Sequence, residues 1–592
     1  MNKHRRGPFR SALAACASLV LVAGAARADN LPMTVIIGMD EAGRPIHPPS
    51  DSPASSWTRD RPWNGRSLRY NAVTRRLAFE IFDTSIKAGE RPRSDFDQGD
   101  TSRLAAVPIT SIVYHAATAA HDPLYRDKTK ELYISEADGT GAVCISGHTL
   151  VDGQDGVMIF SAPYANGTRR FRREMGKVIY DVQNKDHASW YPNGDWIAAA
   201  VEMPVHPGQH GLAAAGTGSF TDLWAVYGRQ GDPRFGKIWV QLTDWARGWK
   251  ETGLYDPIAM APYNASQKQC PAGTQYATSS TEVPFGYFHG SPLGQPPPVS
   301  GVMRITVSES LQPDGNALIA WGAKVGFLRP SGASVVFLGR AEFHLSEAGI
   351  EGVDLKLPSL VDVQCPLAPT PAHPDGVGTY RGRQFPGGLG TVGQLYEPWA
   401  FSPDNQHLLI ASDVFASGRP GPGKTSPDTF YFMDVMEYAT DGSGLKDLTA
   451  YNPAIGYGYP LNDRPPPMNT WGFWEEASTY ITWRGHHYMA FCSNAGFPHK
   501  DIGLDTWLLD LDHPKIRQIT ATNDPRTTRA TDVVYPTSWD GRDGLLFVTR
   551  QNAHYYQDND KKKDPTGYGN ALAPADQLVI NLGEALDRGL MR

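Results

Sequence analysis

Histidine, carboxylate and arginine side chains that a fold brings to one mouth can share a proton, hold a cation or grip an anionic group. Candidates of this kind recur at one place in a repeating pattern: Asp186 and His187, Ser308 and Glu309, Glu397, Glu475 and Glu476, and Asp532. Each set lies a few residues ahead of a tight turn, so counting back from the turns places them at a common level. Glu397, Glu309, Asp532 and His187 are the candidate catalytic groups. Asp186 with His187 is the candidate metal pair, an oxygen and an imidazole donor that suit a divalent cation such as calcium or manganese. Arg304, Arg69 and Arg66 lie at similar heights and could grip an anion bidentately. His206 and His210, on a Pro- and Gly-rich segment, and Trp474 are further candidate binding residues, because an aromatic face stacks on a sugar while polar neighbours bond its hydroxyls.

The elements that position these residues are apolar strand pairs. The pattern apolar strand, tight turn, apolar strand reads Ser189-Trp-Tyr-Pro-Asn-Gly-Asp-Trp-Ile-Ala, Leu311-Gln-Pro-Asp-Gly-Asn-Ala-Leu-Ile-Ala and Phe401-Ser-Pro-Asp-Asn-Gln-His-Leu-Leu-Ile. Weaker copies begin near Leu68, Tyr480 and Tyr535. Pro presets one corner of the turn and Asn or Gly accepts positive φ at the next. A second hairpin with a Gly-rich turn follows most copies, as in Glu131 to Ser146, Tyr431 to Thr449 and Thr506 to Thr520. Two hairpins make a four-stranded sheet that cannot bury both faces alone, so the copies must pack on one another in a ring. The reading is an all-β propeller of six four-stranded blades, seven being the alternative count. The long B-C and D-A connections, among them residues 150 to 185, are expected on one face, which would then be the functional one.

These repeats resemble the TolB-type propeller family, whose blades read roughly W-S-P-D-G-x-x-I-A-F followed by D-G-x-x-x-x-L-T. The resemblance covers the recurring strands of about residues 64 to 583. It implies a propeller scaffold serving either in envelope assembly as a non-catalytic periplasmic binding module or in carbohydrate chemistry. Oligogalacturonate lyases of similar build imply β-elimination on a uronate, with a metal or Arg neutralising the carboxylate and His or Tyr removing the α-proton. In those lyases several inner-strand histidines hold a metal, and His187 alone matches such a position. A glycoside hydrolase using two ring carboxylates is the third reading.

The remaining sequence bounds these choices. Lys3, His4, Arg5, Arg6 and Arg10, an apolar run from Ala12 to Ala26, and Ala26-Arg27-Ala28 read as a signal peptide over residues 1–28. Residues 29–63 form an N-terminal segment able to close the last blade through Thr34-Val-Ile-Ile-Gly, and residues 64–592 form the propeller. A periplasmic or secreted destination follows, with no membrane span expected after residue 28. Export would place Cys144, Cys270, Cys365 and Cys492 in an oxidising space, and Cys270 with Cys365 is the pair to test first. No CxxC motif and no G-x-S-x-G elbow occurs. The formal charge of −7, with both signs mixed along the chain, gives no basic stripe for nucleic acid, so an oligosaccharide or other small ligand is the expected partner.

Overall fold

A computed structural model describes residues 29–39, 44–47, 65–83, 129–146, 157–163, 169–175, 185–202, 221–233, 235–236, 238–241, 298–313, 315–327, 334–345, 355–356, 362–364, 396–412, 433–440, 445–449, 475–495, 503–513, 515–523, 532–552 and 575–592. These residues form an all-β propeller built from six sheets. The N-terminal strands β1 (Thr34–Met39) and β2 (Pro45–Ile46) precede the first meander, β3 (Gly65–Asn71), β4 (Arg76–Asp83), β5 (Thr129–Glu136) and β6 (Val143–Cys144). A hairpin, β7 (Val157–Pro163) and β8 (Arg169–Met175), comes next. It is followed by β9 (Lys185–Trp190), β10 (Trp196–Glu202), β11 (Thr221–Tyr227) and β12 (Ile238–Gln241). The third sheet holds β13 (Pro298–Val307), β14 (Ala317–Phe327), β15 (Ser334–Leu345), β16 (Leu355–Lys356) and β17 (Asp362–Gln364). The fourth holds β18 (Tyr396–Phe401), β19 (His407–Ser412), β20 (Asp434–Ala439) and β21 (Leu445–Asp447). The fifth holds β22 (Glu475–Trp483), β23 (His486–Ser493), β24 (Asp505–Asp510) and β25 (Lys515–Gln518). The last comprises β26 (Asp532–Asp540), β27 (Leu545–Asn552) and β28 (Ala575–Asn581), before helix α1 (Leu582–Asp587).

The inner strands touch in a closed cycle: β3 on β9, β9 on β13, β13 on β18, β18 on β22, β22 on β26 and β26 back on β3. The core lies between the sheets. Ala400, Leu409 and Val435 of the fourth sheet meet Tyr480, Met489, Phe491 and Trp507 of the fifth, all buried. Leu582 and Leu586 of α1 drop into the cluster that joins the fifth and sixth sheets. The Asn581 side chain caps that helix by accepting from Glu584 N at 3.2 Å.

The turn chemistry behaves as the repeat demands. Gly194 N donates to Tyr191 O at 2.8 Å, Gly315 N to Gln312 O at 2.9 Å and Asn405 N to Ser402 O at 2.8 Å. The donor residue has positive φ each time, at 76°, 85° and 61°. Ring closure uses the two ends of the chain. Residues 29–31 run beside the fifth sheet, where Asp29 N donates to Gln518 O and the Asp29 carboxylate meets Arg517 at 2.6 Å. β1 then pairs antiparallel with β28 through Thr34↔Val579 and Val35↔Leu578.

One expected loop is otherwise. The connection before β9 contains β7 and β8, and β7 pairs in parallel with β12, widening that sheet to six strands. β8 therefore becomes the outer edge of that sheet, and this part of the insertion adds backbone pairing at its rim.

Candidate functional site

All six inner strands break register at the same level: between Arg66 and Arg69, Asp186 and Ser189, Met303 and Ile305, Pro398 and Ala400, Glu476 and Thr479, and Pro536 and Ser538. A bulge inserts backbone without a partner and re-aims the side chain it carries. In three of these bulges the strain is on a residue with a side chain: φ is 57° at His187, 46° at Arg304 and 46° at Ala477. Non-glycine residues held there cost about 1–3 kcal/mol each and cluster at functional sites.

The side chains aimed this way meet. Arg304 Nη1 lies 2.7 Å from His187 Nε2. A guanidinium can only donate, so Nε2 is the acceptor in this arrangement. Arg304 Nε lies 3.3 Å from Glu397 Oε2, and the guanidinium carbon sits 4.5 Å over the Trp399 ring. His187 and Glu397 are 5% and 4% exposed. Three successive sheets thus supply a base, a cation and a carboxylate in a row, floored by an indole.

Two further carboxylates stand on the next inner strand, which touches β18. Glu475 and Glu476 are buried at the start of β22, with Ser493 Oγ 3.5 Å from Glu475 Oε1. Cys492 Sγ donates to Glu476 O at 3.2 Å, and burial holds its thiol well above the usual range. Sequence reasoning missed Glu80, which is fully buried on the second strand of its sheet and accepts from Ala188 N at 3.3 Å, beside the His187 bulge. Its signal was a lone carboxylate inside the apolar run Leu77-Ala-Phe-Glu-Ile.

Other candidates lie elsewhere. Glu309 is past the end of β13, at the turn end of the channel, and not at the start of an inner strand. The reason is the segment Ser308–Gln312, which stands before Pro313 where the sister repeat has only Tyr191. Counting back from the turn therefore stopped too soon. Glu309 lines the channel with its side chain exposed there, and the protein walls around it raise its carboxyl to about 7 against the pull of Arg69. Arg69 lies one residue past its bulge and reaches across the channel, donating to Trp399 O at 3.1 Å and to Thr537 O. Asp532 begins β26, but its charged neighbours are Arg550, Asp505 and Asp576 on outer strands. Burial raises its carboxyl to about 6. It belongs to the joint between the fifth and sixth sheets, where Asn523 bonds its backbone at both N and O.

Among the described residues no group of three or more His, Cys, Asp or Glu gathers to hold a metal. The Nε2 of His187 faces a guanidinium, a poor setting for a second cation. Cys144 and Cys492 are buried, and Cys144 Sγ donates to Ser146 O at 2.6 Å. The side chains of Asp186 and Arg66, and residues His206, His210, Trp474, Cys270 and Cys365, lie outside the described set, as do residues 1–28. No helix among the described residues is long and apolar enough to cross a membrane.

No protein-family model and no curated protein sequence matches this chain. Among solved structures it is similar to Trypanosoma rangeli sialidase, with 10% identity, 95% of this chain and 61% of that chain covered, and a TM-score of 0.38. The same sialidase with 2,3-difluorosialic acid as covalent intermediate gives 11% identity, 89% and 55% coverage and a TM-score of 0.36. A mutant of B. megaterium levansucrase gives 13% identity, 70% and 85% coverage and a TM-score of 0.30. The chain spans a little over half the length of the sialidase chains.

Proposed function

We propose that this chain is an exported propeller enzyme that cleaves a carboxylated oligosaccharide at the bulge-level row of His187, Arg304 and Glu397. The observation that carries the reading is the strained backbone at His187 and Arg304, which sets a base and a cation side by side within reach of a buried carboxylate. Six sheets whose inner strands touch in a closed cycle support a six-bladed ring around that row. The resemblance of the repeats to TolB-type blades supports the scaffold.

Arg304 is the group that would take the substrate carboxylate, because a guanidinium matches it bidentately. Doing so draws Arg304 from Glu397 and from His187 Nε2, freeing both at the moment of binding. Two cleavage chemistries fit. In hydrolysis, Glu397 and a second buried carboxylate, Glu475 or Glu476, divide the acid and base roles. The contact of His187 with Arg304 favours a second reading, β-elimination, in which the freed imidazole removes the proton α to the carboxylate. A non-catalytic docking module has less support, since strained polar groups in the channel give such a module nothing.

The test is product analysis on uronate-bearing, sialylated and neutral oligosaccharides. Hydrolysis releases reducing ends alone, whereas elimination also yields an unsaturated, ultraviolet-absorbing product. Turnover of neutral substrates as fast as acidic ones would remove the role given to Arg304.

A further inference from the structure

Below the row of His187, Arg304 and Glu397 the channel continues toward the turns. It holds a cavity of about 60 Å³ lined by residues of all six inner strands, among them Arg69, Ser189, Thr306, Thr479 and Ser538, with Glu309 toward the turns. On the same measure one water needs about 10–15 Å³, so the cavity has room for a small ion with water beside it. Its walls carry hydroxyls and one full positive charge.

That charge is poorly matched. Among the described residues Arg69 donates to two backbone carbonyls, Trp399 O and Thr537 O, and forms no ion pair. A guanidinium offers five N–H donors, so further donors remain available on the cavity side. A buried cation without an adjacent carboxylate is unfavourable unless something neutralises it. Around it stand Arg304, which repels it, and the carboxylates Glu80 and Glu309, which attract it from further off.

We propose that the lower channel binds a single small anion, chloride or another halide, at Arg69, with Glu309 as an internal competitor. The anion takes the unmatched guanidinium donors and supplies the missing negative charge. When Glu309 is ionised, it supplies part of that charge itself and repels the halide. When Glu309 is protonated, the site belongs to the halide. This site is independent of the glycan reading, because Arg69 and the residues around it lie beneath the bulge level.

The channel walls raise the Glu309 carboxyl to about 7, and the charge that pulls it down is Arg69. Halide affinity therefore weakens as pH rises through neutrality, by about tenfold between pH 6 and pH 8 if the ionised competitor excludes the anion.

The probe is sodium chloride with the purified protein, followed by ³⁵Cl NMR line broadening at constant ionic strength with gluconate as the replacement anion. Broadening in the wild type should be strong at pH 6 and weak at pH 8. Glu309→Gln should give strong broadening at both, and Arg69→Gln should lose it. Broadening that survives Arg69→Gln, or a pH dependence that survives Glu309→Gln, would overturn the site, as would no broadening at pH 6. If Arg69→Gln fails to fold, Glu309→Gln decides alone, since Glu309 is open to water beside a turn and its replacement leaves the core untouched.

Discussion

Replacing Glu397 by Gln keeps the shape of the side chain and removes its charge. The Glu397 side chain is 5% exposed and Arg304 24%, so water compensates the loss only from the arginine side. Breaking a fully buried pair costs about 3–5 kcal/mol. Here Arg304 keeps His187 and the face of Trp399, which brings the expected cost to about 2 kcal/mol. Removing Arg304 as Met should cost a similar amount. If the charges act on each other, the double variant Arg304→Met/Glu397→Gln loses less than the sum of the single ones, by about 1–2 kcal/mol. Equilibrium urea unfolding followed by tryptophan fluorescence reads all four corners, and Trp399 beneath the guanidinium reports on the row directly. Additivity within about 0.3 kcal/mol would refute the coupling. His187 and Glu397 are buried, so activity assays on their variants need a stability measurement alongside.

The raised carboxyls of Glu309 and Asp532 hold protons in the folded state that the unfolded chain gives up. Stability should therefore fall as pH rises from about 4 toward 7, and Glu309→Gln with Asp532→Asn should flatten that slope in urea midpoints taken across the range. Asp505→Ala should destabilise strongly, by about 3 kcal/mol or more. Its buried carboxylate accepts from Thr520 Oγ1, Thr522 N and Oγ1, and Asn523 Nδ2 at 2.9 to 3.1 Å, and its loss removes all four bonds, leaving Asn523 Nδ2 its bond to Asp532 O. Gly139→Ala should loosen ring closure, because φ is +85° there and an added Cβ would sit 2.2 Å from Ile36 O on β1; limited proteolysis of residues 29–39 would reveal it. His486→Ala should leave both stability and turnover unchanged, since His486 is exposed on the turn side of β23, away from the row.

The hairpins were legible because their determinants are local. Pro-Asn-Gly at Pro192 and Pro-Asp-Gly at Pro313 set both the turn and the pairing beside it, and the apolar runs around them have only one way to be buried. The bulges were not legible. A bulge exists only relative to a partner strand, and nothing in Asp186-His-Ala-Ser marks two residues as opposing one. His187 and Glu397 could be found as candidates by their spacing from the turns, but their bond through Arg304 depends on three sheets meeting. Glu309 was misplaced because an insertion before Pro313 lengthened a turn taken to be uniform. Glu80 escaped because candidates were sought on inner strands, and it reaches the row from the strand behind. The pairing of β7 with β12 is a long-range parallel contact that no local signal encodes.

The central claim is most directly tested by measuring release of reducing ends from a carboxylated oligosaccharide by wild-type protein and by the folded His187→Ala, Arg304→Met and Glu397→Gln variants. The account predicts turnover by the wild type and loss of at least about a hundredfold in each variant, the scale expected for a removed acid, base or charge partner. No turnover of any acidic glycan by the wild type, or variants that cleave as fast as it does, would contradict it.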